Sequence, residues 1–134
     1  MKAADTSLVI AAFASWHARH EAARRALDSG LHLIDLCALE TYSVLTRLPS
    51  PHRISGEVVR DFLAARFRER LLRLSEAAFR EFILGLADHG VSGGATYDAL
   101  VAATAAGCGA ELVTCDQRAM KVYERYGVRT QLLS

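Results

Sequence analysis

Apolar residues in this chain fall into short solid runs that alternate with stretches spaced three and four apart, the pattern of buried strands separated by amphipathic helices. Lys2 to Ala4 is short for a strand, yet Asp5-Thr6-Ser7 behind it has the character of a strand end passing into a helix. Leu8 to Phe13 is apolar throughout, as suits a segment packed under a sheet. A helix is expected from His17 to Leu27, with Ala22, Ala23, Ala26 and Leu27 inward and Ser29-Gly30 closing it. Leu31 to Leu36 reads as a second strand, and Cys37 to Leu48 as a helix stopped by Pro49 and Pro51. Ser55 is placed to cap a helix from Gly56 to Phe67 and Ser75 another reaching about Asp88, with a third strand between them at Leu71 to Leu74. An apolar helix runs through Ala99-Leu100-Val101-Ala102-Ala103 to Gly107 and Gly109, followed by a strand from Glu111 to Thr114. Gln117 to Tyr126 is expected as a surface helix with Gly127 as its C′ residue, and Val128 to Leu132 as the last strand. This alternation predicts an α/β fold around a mostly parallel sheet, in one domain spanning residues 1–134.

Composition narrows the class. Half of the 134 residues are apolar, but no clean run of 18 exists, so no transmembrane helix is expected. The opening MKAADTSLVIAAFASW has the lysine and apolar run of a secretion signal. Asp5 interrupts it and the segment continues into a helical pattern, so secretion is not expected. Three cysteines (Cys37, Cys108 and Cys115) are an odd number without metal-type spacing, which suits reduced thiols in a cytoplasmic protein. The net charge is only +1, yet seven arginines lie between Arg47 and Arg73 against Glu57, Asp61 and Glu69. That cluster is either a solvated helix face or a patch facing RNA.

The candidate chemistry lies in acids that break apolar patterns. Asp98 has Ala95, Val101 and Ala102 as its helical neighbours and interrupts a face that should be packed. Asp116 follows the strand Glu111 to Thr114, and Asp5 follows the first strand; the carboxyl ends of parallel strands are where ligands bind. Glu40 lies on the otherwise apolar stripe Leu36, Glu40, Val44, where a lone carboxylate is costly unless paired or bound to a cation. Asp35 is a rival second acid, nearer a strand end. Two of these acids have a purely structural alternative: Asp98 could answer a helix dipole and Asp116 could cap the next helix. Gathered without matching arginines, the four would repel one another, and a divalent cation with a preference for hard oxygen ligands, Mg²⁺ or Mn²⁺, would relieve that repulsion. His17 and His20, three apart on a helix, have no acid or cysteine partner nearby and read as surface polarity.

The runs ADTS, ALETYSVLTRLP, YDALVAATA and LVTCDQRA, in that order, resemble the PIN domain, most closely the VapC-type toxin ribonucleases of toxin–antitoxin pairs. The resemblance extends from Asp5 to the terminal GVRTQLL. It implies a Rossmann-like sheet, Mg²⁺-dependent endoribonuclease activity in which Mn²⁺ can substitute, an RNA substrate, a cognate antitoxin protein and a homodimer. Position by position it makes Asp5, Glu40, Asp98 and Asp116 the catalytic acids, with Asp5, Asp98 and Asp116 as metal ligands. Thr6 and Ser7 match the hydroxyls after the first acid and Thr114 the threonine of the T-x-D motif.

Two departures stand out. Arg118-Ala119-Met120 occupies the place where the family often has a phenylalanine, a matter of packing more than chemistry. Tyr97 replaces a smaller residue before Asp98, where it could narrow the substrate groove or stack within it. An apolar helix face of Leu39, Val44, Leu45 and Leu48 is a candidate surface for a partner. The main alternative is a catalytically silent module of the same fold that binds RNA or protein, which loss of an acid would favour; none is lost. A receiver-type phosphotransfer domain would need a second N-terminal acid beside Asp5 and a lysine at a late strand end, and both are missing.

Overall fold

The computed structural model describes residues 1–134. Four short strands form the sheet: β1 (Lys2–Ala4), β2 (His32–Leu33), β3 (Glu111–Thr114) and β4 (Thr130–Leu132), in the order β2-β1-β3-β4. Every pairing is parallel, with Ala4 opposite Leu33 on one side and Val113 on the other. Ala3, Ala4, Leu112 and Val113 are buried, as central strands covered on both faces must be. The chain leaves β1 for one side of the sheet and later returns to β3 on the other. The carboxyl ends of β1 and β3 therefore meet where the winding reverses, the place at which open α/β sheets bind ligands.

Seven helices surround the sheet: α1 (Thr6–Phe13), α2 (His20–Asp28), α3 (Asp35–Thr46), α4 (Gly56–Arg66), α5 (Glu76–Gly85), α6 (Ala95–Gly107) and α7 (Met120–Arg125). Ser55 and Ser75 accept from the backbone N–H groups of Val58 and Ala78, which accounts for where α4 and α5 begin. Gly109 and Gly127, at φ +70° and +65°, turn the chain out of α6 and α7 in a conformation that other residues adopt at a cost. Leu8, Val9, Ala11 and Ala12 of α1 and Val101, Ala102 and Ala105 of α6 share one core with the strands. No helix is long and apolar enough to cross a membrane.

Several expected elements are trimmed. The strand predicted at Leu71 to Leu74 is reduced to one bridge between Leu72 and Ile34; Leu72 is buried and Leu74 half-buried, while Leu71 and Arg73 face solvent. The second strand stops at Leu33 because α3 already begins at Asp35. The helix expected from His17 starts at His20; the His17 ring takes the Arg19 N–H and the His20 ring bonds the Ala11 carbonyl, so each serves local structure. The final helix is shorter than expected; Lys121, Glu124 and Arg125 keep it at the surface, while Val122 and Tyr123 bury its other face. The presumed partner face of α3 divides, with Leu45 in the core and Leu39 68% exposed. All three cysteines are free, and only Cys37 is buried.

Candidate active site

Register brings the first acid to the second strand end. Ala4 pairs with Val113, so the next residues, Asp5 and Thr114, stand side by side at the carboxyl rim, and the Asp5 N–H donates to the Val113 carbonyl at 3.2 Å. Asp5 also caps α1 and is only 2% exposed. Its Oδ1 accepts from Ser7 Oγ at 2.6 Å and from the Leu8 N–H at 3.0 Å. Its Oδ2 accepts from the Thr114 hydroxyl and from the Tyr123 hydroxyl, the latter at 2.8 Å. Burial raises the Asp5 carboxyl above the ordinary carboxylate value, against the pull of these same hydrogen bonds.

The neighbouring hydroxyls carry the network outward. Ser7 Oγ accepts the Cys115 N–H at 2.9 Å, and Thr114 Oγ1 accepts the Asp116 N–H at 2.9 Å. Thr6 Oγ1 donates to Glu40 Oε1 at 2.9 Å and so links the first turn of α1 to α3. The two threonines and the serine named by motif thus each touch a carboxylate or the backbone that positions one.

Asp116 uses Oδ1 to accept the Arg118 and Ala119 N–H groups, at 3.0 and 3.3 Å, and so caps the turn that leads into α7. The structural alternative for Asp116 is therefore real, but it occupies only one of the two oxygens. Asp98 stands in the first turn of α6, where the helix dipole favours its charge. It is half-buried and accepts no hydrogen bond from the protein. Burial raises its carboxyl, and the charges of Asp116, Glu40 and Asp5 raise it further; Arg118 opposes them. Arg118 is almost fully exposed and its Nε is 3.9 Å from Asp116, so screening leaves it a weak counter-charge. Asp98 thus reports electrostatically on all three other acids.

The rival Asp35 is exposed, with its Oδ1 folded back on the Leu36 N–H, and it takes no part. The arginine-rich stretch is partly consumed locally: Arg66 pairs with Asp28, Arg60 with Asp61, and Arg53 bonds the Leu48 carbonyl. Two residues at the site escaped the sequence reading. Tyr123 reaches Asp5 from α7, and the stripe Ala119, Val122, Tyr123, Tyr126 could have indicated that one face of this helix is buried. Arg19 lies close enough for its charge to oppose the rise of the Cys115 thiol, which burial and then Asp5 push up to about 11, and its own Nε is buried without an acceptor.

No three carboxylates, histidines or cysteines are drawn together tightly enough to hold a metal ion as they stand. Like charges keep their distance, and the four donors on Asp5 hold that side chain in place. The donor set nevertheless fits a hard divalent cation: carboxylate oxygens gathered by the fold, one of them without any protein partner, and an exposed arginine as their weak counter-charge.

Residues 3–125 match the family model described as PIN domain. The chain is 52% identical over 134 residues, covering all of both proteins, to Ribonuclease VapC40 of Mycobacterium tuberculosis. It is 40% identical to Ribonuclease VapC27 of the same species, over 94% of this chain and 92% of that protein. Among solved structures it superposes on FitAcB from Neisseria gonorrhoeae with a TM-score of 0.70 and 19% identity, covering 97% of this chain and 96% of that one. FitAB bound to an IR36 DNA fragment gives 0.74 and 17%, covering 98% and 94%. At that identity the likeness speaks for the fold alone.

Proposed function

The chain belongs to the PIN-domain family and within it to the VapC ribonucleases, and from that premise we propose that it is the toxin of a toxin–antitoxin pair, an endoribonuclease that hydrolyses RNA phosphodiester bonds with a divalent cation. The observation that carries the chemistry is Asp98: half-buried, free of hydrogen bonds, and coupled to Asp116, Glu40 and Asp5 at one rim of the sheet.

Asp98 and Asp116 are the residues that would hold Mg²⁺ or Mn²⁺, with Asp5 beside them. When bound, the cation neutralises charge developing on the scissile phosphate and lowers the pKa of water. The chain's own part is positional. Thr6 holds one oxygen of Glu40, leaving the other to take a proton from water as the water oxygen bonds to phosphorus, the phosphorus–oxygen bond to the leaving strand breaks and the departing oxygen takes a proton from solvent. Ser7 and Thr114 hold Asp5, and Thr114 also anchors the backbone of Asp116.

The same reading carries a cognate antitoxin protein and a second copy of the chain as partners, a single domain over residues 1–134, and a cytoplasmic setting. The alternative, a silent binding module, is disfavoured by the presence of all four acids. The test is brief induction in cells followed by mapping of cleaved transcript ends, with Asp98→Asn as control. New 5′ ends at recurrent sites and growth arrest with the wild type alone are expected. Arrest without new ends would favour the binding module, and normal growth at high levels of folded wild type would remove the toxin.

A further inference from the structure

An ionised carboxylate offers about four lone-pair positions, and the protein fills all four on Asp5. Three of the donors, Ser7, Leu8 and Thr114, come from the segments that directly follow or end β1 and β3. The fourth comes from elsewhere. Tyr123 lies on α7, is 2% exposed, and spends its hydroxyl on Asp5 Oδ2 at 2.8 Å. Phenylalanine would fill the same space in the core without a polar atom to satisfy, so the hydroxyl answers to the carboxylate rather than to packing. Two donors on each oxygen leave the carboxylate no free rotation about its last bond, and removing the Tyr123 hydroxyl leaves Oδ2 held from one side only.

We propose that Tyr123 is a positioning residue of the nuclease: through Oδ2 it sets the orientation of Asp5 and couples α7 to the acidic rim. The proposal rests on the metal-dependent nuclease reading and deepens it. Asp5, with its four positions filled, stands beside Asp98 and Asp116 and acts by keeping the acidic rim in place; losing a hydrogen bond in the shell around an ion typically lowers metal affinity or activity about 10- to 100-fold.

The test compares wild type with Tyr123→Phe in two measurements. The first is Mn²⁺ affinity, from the free Mn²⁺ signal in electron paramagnetic resonance. The second is steady-state cleavage of a labelled single-stranded RNA oligonucleotide that the wild type cuts. Mn²⁺ binding weakened about 10-fold, kcat lowered about 10-fold and RNA KM within about twofold are expected. A purely structural tyrosine would lower the melting temperature and leave Mn²⁺ affinity and kcat at wild-type values, and that result overturns the proposal. If Tyr123→Phe does not fold, fluorotyrosine-labelled wild type supplies the readout. Tyr42 and Tyr97 are exposed, whereas Tyr123 and the hydroxyl end of Tyr126 are buried, so the Tyr123 ¹⁹F resonance is the one that is shielded from a soluble relaxation agent and persists in Tyr126→Phe. It should shift on adding Mg²⁺, and an unmoved resonance at saturating Mg²⁺ overturns the proposal equally. A wild type that neither takes up Mn²⁺ nor cuts RNA would instead sink the nuclease reading, so the two failures are distinguishable.

Discussion

Ser7 and Thr114, 107 residues apart in sequence, hold their hydroxyl oxygens 3.2 Å from one another, yet neither hydrogen is spent on the other. Each is given to a different oxygen of Asp5, and each oxygen in turn accepts a backbone N–H from the loop after β3. A buried carboxylate thus joins the start of α1 to the end of β3 through two side chains that both donate and accept.

Thr114→Val tests that junction. Valine keeps the shape and removes the hydroxyl, stranding the Asp116 N–H and one acceptor position on Asp5. A loss of about 1–3 kcal/mol of stability is expected, the usual penalty for buried groups left unpaired. Urea denaturation of the metal-free protein measures it, and a change below about 0.5 kcal/mol would mean that the hydroxyl carries little of the junction.

Asp98→Asn should separate catalysis from folding. The carboxylate accepts no protein hydrogen bond and faces three other acids, so neutralising it removes repulsion and strands nothing. RNA cleavage is expected to fall at least about 100-fold, since losing even an outer partner of a metal site costs about 10- to 100-fold, while the metal-free melting temperature stays level or rises. Cleavage at the wild-type rate would take Asp98 out of the site; a marked fall in melting temperature would give it a structural duty not visible here.

How far the sequence could be read follows from which signals are local. Asp98 and Glu40 were legible because each breaks an apolar helical stripe, and Asp5 and Asp116 because each ends a strand. The strand order was not, since β1 pairs on one side with β2, about 30 residues away, and on the other with β3, more than 100 residues away, and no local pattern reveals that choice. Leu71 to Leu74 has strand composition but makes only one bridge, at Leu72, which a run of four could not reveal. Tyr123 was hidden for a different reason. A helix of six residues gives too little periodicity to tell a buried face from a wet one, and the hydroxyl's partner lies at the other end of the chain.

Stability should depend on pH with a definite sign. Asp5 and Asp98 both have carboxyls raised above 3.8 in the folded protein. Between that value and the raised one, the folded state holds more protons than the unfolded state, so these two groups make stability fall as pH rises. Below 3.8 their contribution is fully restored. Denaturation series of wild type and Asp98→Asn in the presence of a chelator, across the acid-to-neutral range, isolate one share: the wild type should lose more stability with rising pH than the variant. Parallel curves would show that Asp98 titrates as a free side chain.

Cation binding is the remaining test, and the structure decides which double variant to use. Asp5→Asn would set an amide N–H against one of the pairs of donors that hold its oxygens, and a loss of fold would obscure the result. Asp98→Asn with Asp116→Asn avoids this, because Asp98 has no partner to lose and an asparagine at 116 can still cap the turn through Oδ1. A cation that binds only the folded protein stabilises it by about 2.7 kcal/mol at a hundredfold excess over its Kd, enough to move the melting temperature by several degrees in a domain of this size. Mn²⁺ should bind the same oxygens more tightly than Mg²⁺, so the wild type should show the larger shift with Mn²⁺ and the double variant almost none. Binding should also release protons, because the raised Asp98 carboxyl is more often protonated without the ion. Calorimetry in two buffers of different ionisation heat counts them. If wild type and double variant respond to Mn²⁺ alike, Asp98 and Asp116 do not belong to one cation site, and the carboxylate rim must work on RNA by some means other than metal-assisted hydrolysis.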